Sequence, residues 1–133
     1  MAASKIKPSI THVNDGLLGY AALVAYEKDG GAERLAFAEQ VADYLLNTAP
    51  RTADDTLEHD SNRIWVDTLL GSVPFLLEMT RVTGDPQYAE EAISQTIKHA
   101  QHLQDPCSGL YHHARDASQI DPAGQAYWGR GNG

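Results

Sequence analysis

The sequence predicts an all-α domain built from repeated helical hairpins, and three observations support this fold class. Apolar residues recur every three or four positions over four long stretches, the spacing of a helix with one buried face. Each stretch ends at glycine or in a polar connector. Two stretches begin with the same leucine-leucine-glycine triplet, at residues 17–19 and 69–71.

The first predicted hairpin begins near Asn14 and Asp15, residue types that favour the N-cap of a helix. Its first helix ends at Asp29, where two glycines follow, and its second helix starts at once. Residues 47–55 then form a polar connector. The apolar positions of this hairpin are Leu17, Leu18, Ala21, Ala22, Val24, Ala25, Leu35, Ala38, Val41, Ala42, Leu45 and Leu46.

The second predicted hairpin has a third helix from about Ser61 to Thr83, in which Pro74 removes one backbone hydrogen bond and predicts a kink. The fourth helix starts with Pro86 at its first position, which suits proline. The apolar positions are Val66, Leu69, Leu70, Val73, Leu76 and Leu77 in the third helix, and Tyr88, Ala92, Ile93, Thr96, Ile97, Ala100 and Leu103 in the fourth.

Repeated helix pairs need neighbours to bury their inner faces, so the pattern predicts more repeats than these two. We expect a flexible N-terminal segment at residues 1–11 and a partial domain at residues 12–133, truncated at its C-terminal end. We further expect the chain by itself to be inactive and marginally stable, with self-association through uncovered hairpin faces. A compact two-hairpin domain is the alternative.

Composition restricts the classes of partner. Ten basic residues against 18 acidic ones give a net charge of −8, which argues against nucleic acid or an anionic membrane as the main partner. Cys107 is the single cysteine, so no internal disulfide is possible and a reducing compartment fits. No apolar run approaches the roughly 18 residues of a membrane span, and the N-terminus lacks a secretion signal. The sequence therefore predicts a soluble, cytoplasmic protein.

Three segments of the sequence together resemble the motifs of a known protein family. They are Trp65-Val66-Asp67-Thr68-Leu69, the run Ser-Gly-Leu-Tyr-His-His-Ala-Arg-Asp at residues 108–116, and Asp-Pro-Ala-Gly at residues 121–124 followed by Trp-Gly-Arg-Gly-Asn-Gly at residues 128–133. In this order, on helical hairpins, they resemble the unsaturated rhamnogalacturonyl hydrolases and unsaturated glucuronyl hydrolases, the six-hairpin glycoside hydrolases of families 105 and 88. The resemblance covers roughly residues 12–133 and only the earlier part of that family's barrel.

The resemblance implies part of an (α/α)6 barrel with its active site at one mouth. It also implies a reaction in which a 4,5-unsaturated uronyl residue, left by a polysaccharide lyase, is removed by hydration of its vinyl-ether double bond. One carboxyl group protonates a carbon of that bond and helps water attack the neighbouring carbon. By resemblance Asp121 is this acid/base and Asp67 is the second carboxylate. Asp116 is the alternative acid/base, because Gln119-Ile120 precede Asp121 where the family commonly has Trp-Ala.

The same resemblance implies that four residues bind an unsaturated uronyl oligosaccharide: His113, Trp128, Arg130 and Trp65. Arg130 can hold the substrate carboxylate through two parallel hydrogen bonds or brace the loop carrying Asp121. We expect no cofactor and no metal: His99 and His102 are three positions apart, but no carboxylate or cysteine completes a metal-binding set with them, and we predict that they lie on a solvated helix face.

Plainer interpretations remain open from the sequence. Asp67 suits the first turn of any helix, where a carboxylate stabilises the helix dipole, and Asp-Pro-x-Gly is an ordinary turn sequence. The repeat alone also fits a helical scaffold that binds a protein partner, or another sugar-active (α/α) barrel such as an epimerase-like enzyme. A cluster of acid, imidazole, indole and guanidinium groups favours the hydrolase over the scaffold.

Overall fold

The computed structural model describes residues 9–116, Tyr127 and residues 129–132. Its helices are α1 (Asp15–Asp29), α2 (Ala32–Asp43), α3 (Asp67–Thr83), α4 (Pro86–Leu103) and α5 (Gly129–Asn132). A π-helical turn, Tyr44–Thr48, extends α2, and two strands, β1 (Arg63–Trp65) and β2 (Ala114–Asp116), pair antiparallel. The four long helices confirm the predicted helical fold class: α1 packs on α2, α3 packs on α4, and α1 packs on α3.

No helix within these described ranges is long and apolar enough to cross a membrane.

The predicted start of the third helix was wrong. The helix begins at Asp67 and not near Ser61, because residues 63–65 form β1. The partner strand lies about fifty residues further along the chain, and Ile64, which pairs with Arg115, is fully buried. Tertiary pairing of this kind overrides a local helical pattern and is not visible from the segment alone.

The helix ends follow their predicted residue types. Asp85 caps α4, since its Oδ1 accepts a hydrogen bond of 3.0 Å from Gln87 N–H, and Pro86 occupies the first turn. Gly84 ends α3 in a left-handed conformation. Asn14 makes no side-chain cap bond; instead Asp15 Oδ2 accepts from the backbone N–H groups of Thr11 and His12 just before α1.

Glycines allow α1 and α3 to approach each other closely. A β carbon at Gly16 would overlap the carbonyl oxygen of Gly71, and one at Gly19 would lie 2.6 Å from the Phe75 ring. At Gly71 it would lie 2.9 Å from Asn14 Oδ1. Gly19 and Gly71 are the equivalent glycines of the two sequence repeats, so the repeat places a small residue on both sides of one helix interface.

The predicted apolar positions divide between two surfaces. One surface lies in the core and includes the predicted positions Ala38, Val41, Ala42, Leu45, Leu76 and Ala92. Further core residues that were not predicted include Val13, Leu23, Leu57, Phe75 and Met79. The other is exposed in the described part of the chain and includes Leu17, Leu18, Val24, Leu70, Leu77, Ile93 and Ile97. The α3–α4 side of this exposed surface forms an apolar groove. The helices therefore carry a second apolar face beyond the one they bury against each other.

Gln95 fastens the α2–β1 connector to α4. Its fully buried amide accepts a hydrogen bond from Leu57 N–H (2.8 Å) and donates to the Asp55 carbonyl (2.9 Å). Arg51 adds a partly buried ion pair with Glu91 of α4 at 2.8 Å. These contacts satisfy polar groups of the connector that packing against the helix would otherwise leave unpaired, and they fix the chain that leads into β1.

The prediction that His99 and His102 lie on a solvated face was wrong for His99, which is fully buried. Its Nδ1 lies 2.8 Å from the Gln95 carbonyl oxygen, so this nitrogen carries the proton and donates. Burial lowers the pKa of His99 from 6.5 to about 4, against the opposing effect of that hydrogen bond. His102 is only partly buried, and its Nε2 pairs with Asp54 at 2.8 Å.

Replacing Gly16 by alanine is expected to destabilise the chain by about 1–3 kcal/mol, because the added methyl group forces α1 away from α3. Urea unfolding followed by circular dichroism measures this. Gly129→Ala is the matched control, since its β carbon would meet no atom of the described residues within 4 Å. Equal unfolding midpoints for the two variants would show that the α1–α3 contact is not tight.

Acid is expected to weaken the fold through His99. Its folded pKa of about 4 lies below the ordinary 6.5, so between these values the unfolded state binds more protons and stability is lost as pH falls. The expected loss is about 2 kcal/mol from about pH 7 to about pH 5. The variant His99→Asn keeps a donor for the Gln95 carbonyl. In this variant the free energy of unfolding is expected to depend less steeply on pH. An unchanged slope in urea titrations would exclude His99 as its source.

Candidate active site

Strand pairing brings two of the predicted site segments together. Trp65 is the last residue of β1 and Asp67 is the first residue of α3, so a single residue, Val66, separates them. Trp65 pairs with Ala114 of β2, and the Val66 N–H donates to the His113 carbonyl at 3.0 Å. The start of α3 and the segment leading into β2 therefore lie side by side.

Asp67 and His113 form the polar centre of this site. His113 Nδ1 lies 3.3 Å from Asp67 Oδ2, close enough for an ion pair when the imidazole is protonated. Only 10% of the His113 side chain and 22% of the Asp67 side chain are exposed, which strengthens their interaction relative to a surface pair. Asp67 also lies at the N-terminus of α3, where a carboxylate is stabilised by the helix dipole.

A row of four aromatic rings leads to this pair. The ring of His59 stacks on Trp65 with centroids 4.7 Å apart, and His12 meets His59 edge-on at 4.9 Å. Trp65 is in turn 5.2 Å from His113 at a tilted angle. Neither His59 nor His12 is among the predicted site residues; His12 lies in the turn before α1 and reaches the row only through tertiary packing.

The surroundings of His59 favour its neutral form. Burial lowers its pKa, and the neighbouring His12 acts in the same direction, while the carboxylates of Asp67 and Asp60 oppose the shift. Its Nδ1 lies 3.0 Å from the hydroxyl oxygen of the buried Thr68. This hydrogen bond ties His59 to the first turn of α3, next to Asp67.

Trp65 contributes a hydrogen-bond donor as well as a ring. Its Nε1 is buried and makes no hydrogen bond within the described part of the chain. A buried indole N–H normally has a partner. It is therefore a candidate donor to a bound ligand.

The adjacent histidines point to different sides of their segment, as successive residues of an extended chain do. His112 is buried, stacks on the Tyr127 ring at 4.4 Å and donates its backbone N–H to the Leu103 carbonyl. His113 instead faces Asp67 and Trp65. Of the two, His113 is the one placed at the candidate site.

The other predicted site residues are only partly covered. Asp121 and Trp128 lie outside the described residues. Arg130 lies in α5, though only its backbone is described. The next residue, Gly131, packs on Val66: a β carbon there would lie 3.0 Å from Val66 Cγ1. The backbone of α5 thus lies beside the residue that precedes Asp67.

Asp116, the alternative acid/base, is placed apart from the pair. It ends β2 opposite Arg63, whereas Ala114 at the other end of the strand pairs with Trp65. Its Oδ1 accepts a hydrogen bond of 3.1 Å from the side chain of Asn62. Two strand positions, or about 7 Å, separate it from the end of the ribbon next to Asp67.

A search of the described residues for three or more clustered histidine, cysteine or carboxylate side chains that could hold a metal ion finds none. The arrangement that they do show is a carboxylate and an imidazole beside an indole ring, at the ends of helices and strands. Such groups can orient the hydroxyl groups of a ligand and transfer protons.

Sequence comparison defines the class. The profile of Glycosyl Hydrolase Family 88 matches residues 4–133, and the chain belongs to this family. A curated relative, the unsaturated rhamnogalacturonyl hydrolase YesR of Bacillus subtilis (strain 168), is 33% identical over 129 residues, which are 91% of this chain and 38% of the relative. The suspected family is thereby confirmed, and the chain spans little more than a third of that relative's length.

Solved structures agree with this assignment. A possible member of the GH105 family from Salmonella enterica subsp. enterica serovar Paratyphi A str. ATCC 9150 superposes with a TM-score of 0.86 at 27% identity, covering 95% of this chain and 35% of that one. The cellobiose 2-epimerase of Bacillus thermoamylovorans B4167 superposes with a TM-score of 0.69 at 15% identity, covering 79% and 29%. The epimerase shares the fold alone. Its match is weaker than that of the GH105 protein in both measures.

Proposed function

We propose that the protein carrying this chain is a glycoside hydrolase that removes a 4,5-unsaturated uronic acid from lyase-generated oligosaccharides. The observation that carries the proposal is the contact between Asp67 and His113 beside Trp65, in a chain that belongs to a glycosyl hydrolase family. The name of the relative YesR, an unsaturated rhamnogalacturonyl hydrolase, supports the substrate class.

The proposed hydration reaction requires two carboxyl groups with different roles. In our proposal Asp121 gives a proton to one carbon of the substrate double bond and then takes one from the water that attacks the other carbon. The product is an unstable hemiketal, whose ring opens and releases the remaining sugar. Asp67 is the second carboxylate of the proposal, which positions substrate or water and tunes the acid/base.

The remaining side chains bind the sugar. His113, held by Asp67, is suited to bond a substrate hydroxyl, and the indole of Trp65 offers both a buried N–H and an apolar surface. Trp128 and Arg130 complete the proposed set, with the guanidinium of Arg130 as partner of the substrate carboxylate. Within this proposal, the His59–Trp65 stack keeps the indole in one orientation.

Two alternative functions can be distinguished from the proposed hydrolase. A helical scaffold has no use for a partly buried carboxylate–imidazole pair beside an indole. An epimerase-like or ordinary glycosidase chemistry would leave the substrate double bond intact, whereas hydration destroys it.

An ultraviolet assay on the intact reading frame tests the reaction class. With unsaturated rhamnogalacturonan and glucuronan disaccharides, the double-bond absorbance is expected to fall with the unaltered protein and to persist with Asp121→Asn, because an amide cannot deliver the proton. Asp116→Asn serves as the comparison and is expected to retain activity. Absorbance that persists with the unaltered protein across a range of pH would refute the proposed reaction.

Asp67→Asn is expected to lower kcat/KM by about a hundredfold or more while the protein stays folded, since the amide keeps the shape of the side chain and removes its charge. The control is Asp29→Asn, which changes an exposed carboxylate at the far end of α1. If both variants have the same rate, Asp67 is only a helix-end residue.

A further inference from the structure

The side chain of Asn132 forms two hydrogen bonds with the backbone of Tyr111, as a residue of a neighbouring β-strand would. Its Oδ1 accepts a hydrogen bond of 2.6 Å from Tyr111 N–H, and its Nδ2 donates one of 2.9 Å to the Tyr111 carbonyl oxygen. A single amide thus satisfies both backbone groups of one residue, 21 positions earlier in the chain. Paired contacts of this kind define orientation as well as distance, because the donor and the acceptor are fixed on one rigid plane.

The segment held in this way leads directly to the site. Tyr111 forms an isolated bridge with Gln104, His112 N–H donates to the Leu103 carbonyl, and the His113 carbonyl accepts from Val66 N–H. Residues 111–113 are therefore fixed to α4 on one side, to the start of α3 on the other, and to α5 through Asn132. His113 is two residues from Tyr111, and we call the two hydrogen bonds between Asn132 and Tyr111 the clamp.

The other end of the clamp carries a proposed substrate-binding residue. Asn132 and Arg130 share the short helix α5, and Gly131 between them packs against Val66. Any β carbon at position 131 would press on the Val66 methyl groups. The backbone of α5 is thus fastened at two adjacent positions, to Tyr111 and to the residue before Asp67.

We propose that Asn132 is a positioning residue that locks the His113 segment and the Arg130 backbone into one unit beside Asp67. The inference rests on the proposed function for its catalytic consequence, while the clamp itself can be measured without any substrate. Nothing in this role requires Asn132 to touch the sugar. Small displacements of groups that orient a substrate reduce turnover strongly, so a side chain that sets their backbone has a large effect at a distance.

Amide hydrogen exchange tests the clamp directly in the intact protein. In Asn132→Ala, exchange at the Tyr111 amide is expected to accelerate about tenfold or more, because that N–H loses its acceptor, while the His112 amide keeps its protection. Asn47→Ala, which removes an exposed amide bonded to Asp43, is the control and leaves both amides unchanged. Unaltered protection of Tyr111 in Asn132→Ala would refute the clamp.

Asn132→Asp adds a readout that a merely structural role would not move. When protonated, the introduced carboxyl group can both donate to the Tyr111 carbonyl and accept from its N–H; when ionised, it opposes that carbonyl oxygen and cannot donate. The folded pKa of the new group is thus raised, and its native-like bonding is lost as pH rises. The ratio of variant to unaltered kcat/KM is expected to rise about tenfold as pH falls from about 7 to about 4.5.

The two measurements separate this inference from the proposed function. The protein could show no uronyl hydrolase activity while Asn132→Ala still accelerates exchange at the Tyr111 amide. That result would refute the proposed function and support the hydrogen bonds between Asn132 and Tyr111. Lost protection in Asn132→Ala together with unchanged kcat/KM would overturn the positioning role. A pH-independent ratio for Asn132→Asp, with Asn47→Asp as its control, would do the same.

Discussion

The close approach of α1 and α3 is the constraint on which the candidate site depends. Gly16 and Gly71 let the two backbones meet, and this contact sets where α3 begins relative to the turn before α1. His12 comes from that turn, and Asp67 is the first residue of α3. Glycine packing therefore contributes to the distance between them. A methyl group at this interface would displace both.

A second constraint is polar and acts from the opposite side. The connector between the hairpins is held to α4 by the buried amide of Gln95, and its last residues become β1. His59 lies in this connector and is tied to Thr68 of α3. Because His59 stacks on Trp65, the position of the connector also fixes the position of the Trp65 ring. Because each contact is short and mostly buried, movement of the connector would carry the whole ring row with it.

Helices and family were predictable from the sequence, whereas the site's internal contacts were not. Periodicity located four helices, and the turn at Gly84 and the cap at Asp85 marked their ends, because these signals are local. The strand β1 was missed because its partner is distant in sequence. His99 was misjudged because its neighbours on the helix are polar, while the surface that buries it belongs to other segments.

The repeat explains why the apolar pattern predicted more buried surface than the described chain shows. Leu70 and Leu77 of α3, with Ile93 and Ile97 of α4, follow helical spacing yet stay exposed. Their helices already bury a different face, which contains Phe75 and His99. A helix with apolar residues on two faces is suited to lie between two neighbours, and this chain spans only 38% of the relative YesR and 35% of the GH105 protein. The site itself lies at the ends of the helices, away from this lateral surface. Its geometry thus depends on contacts between hairpins at their ends, while the stability of the fold depends on their flanks.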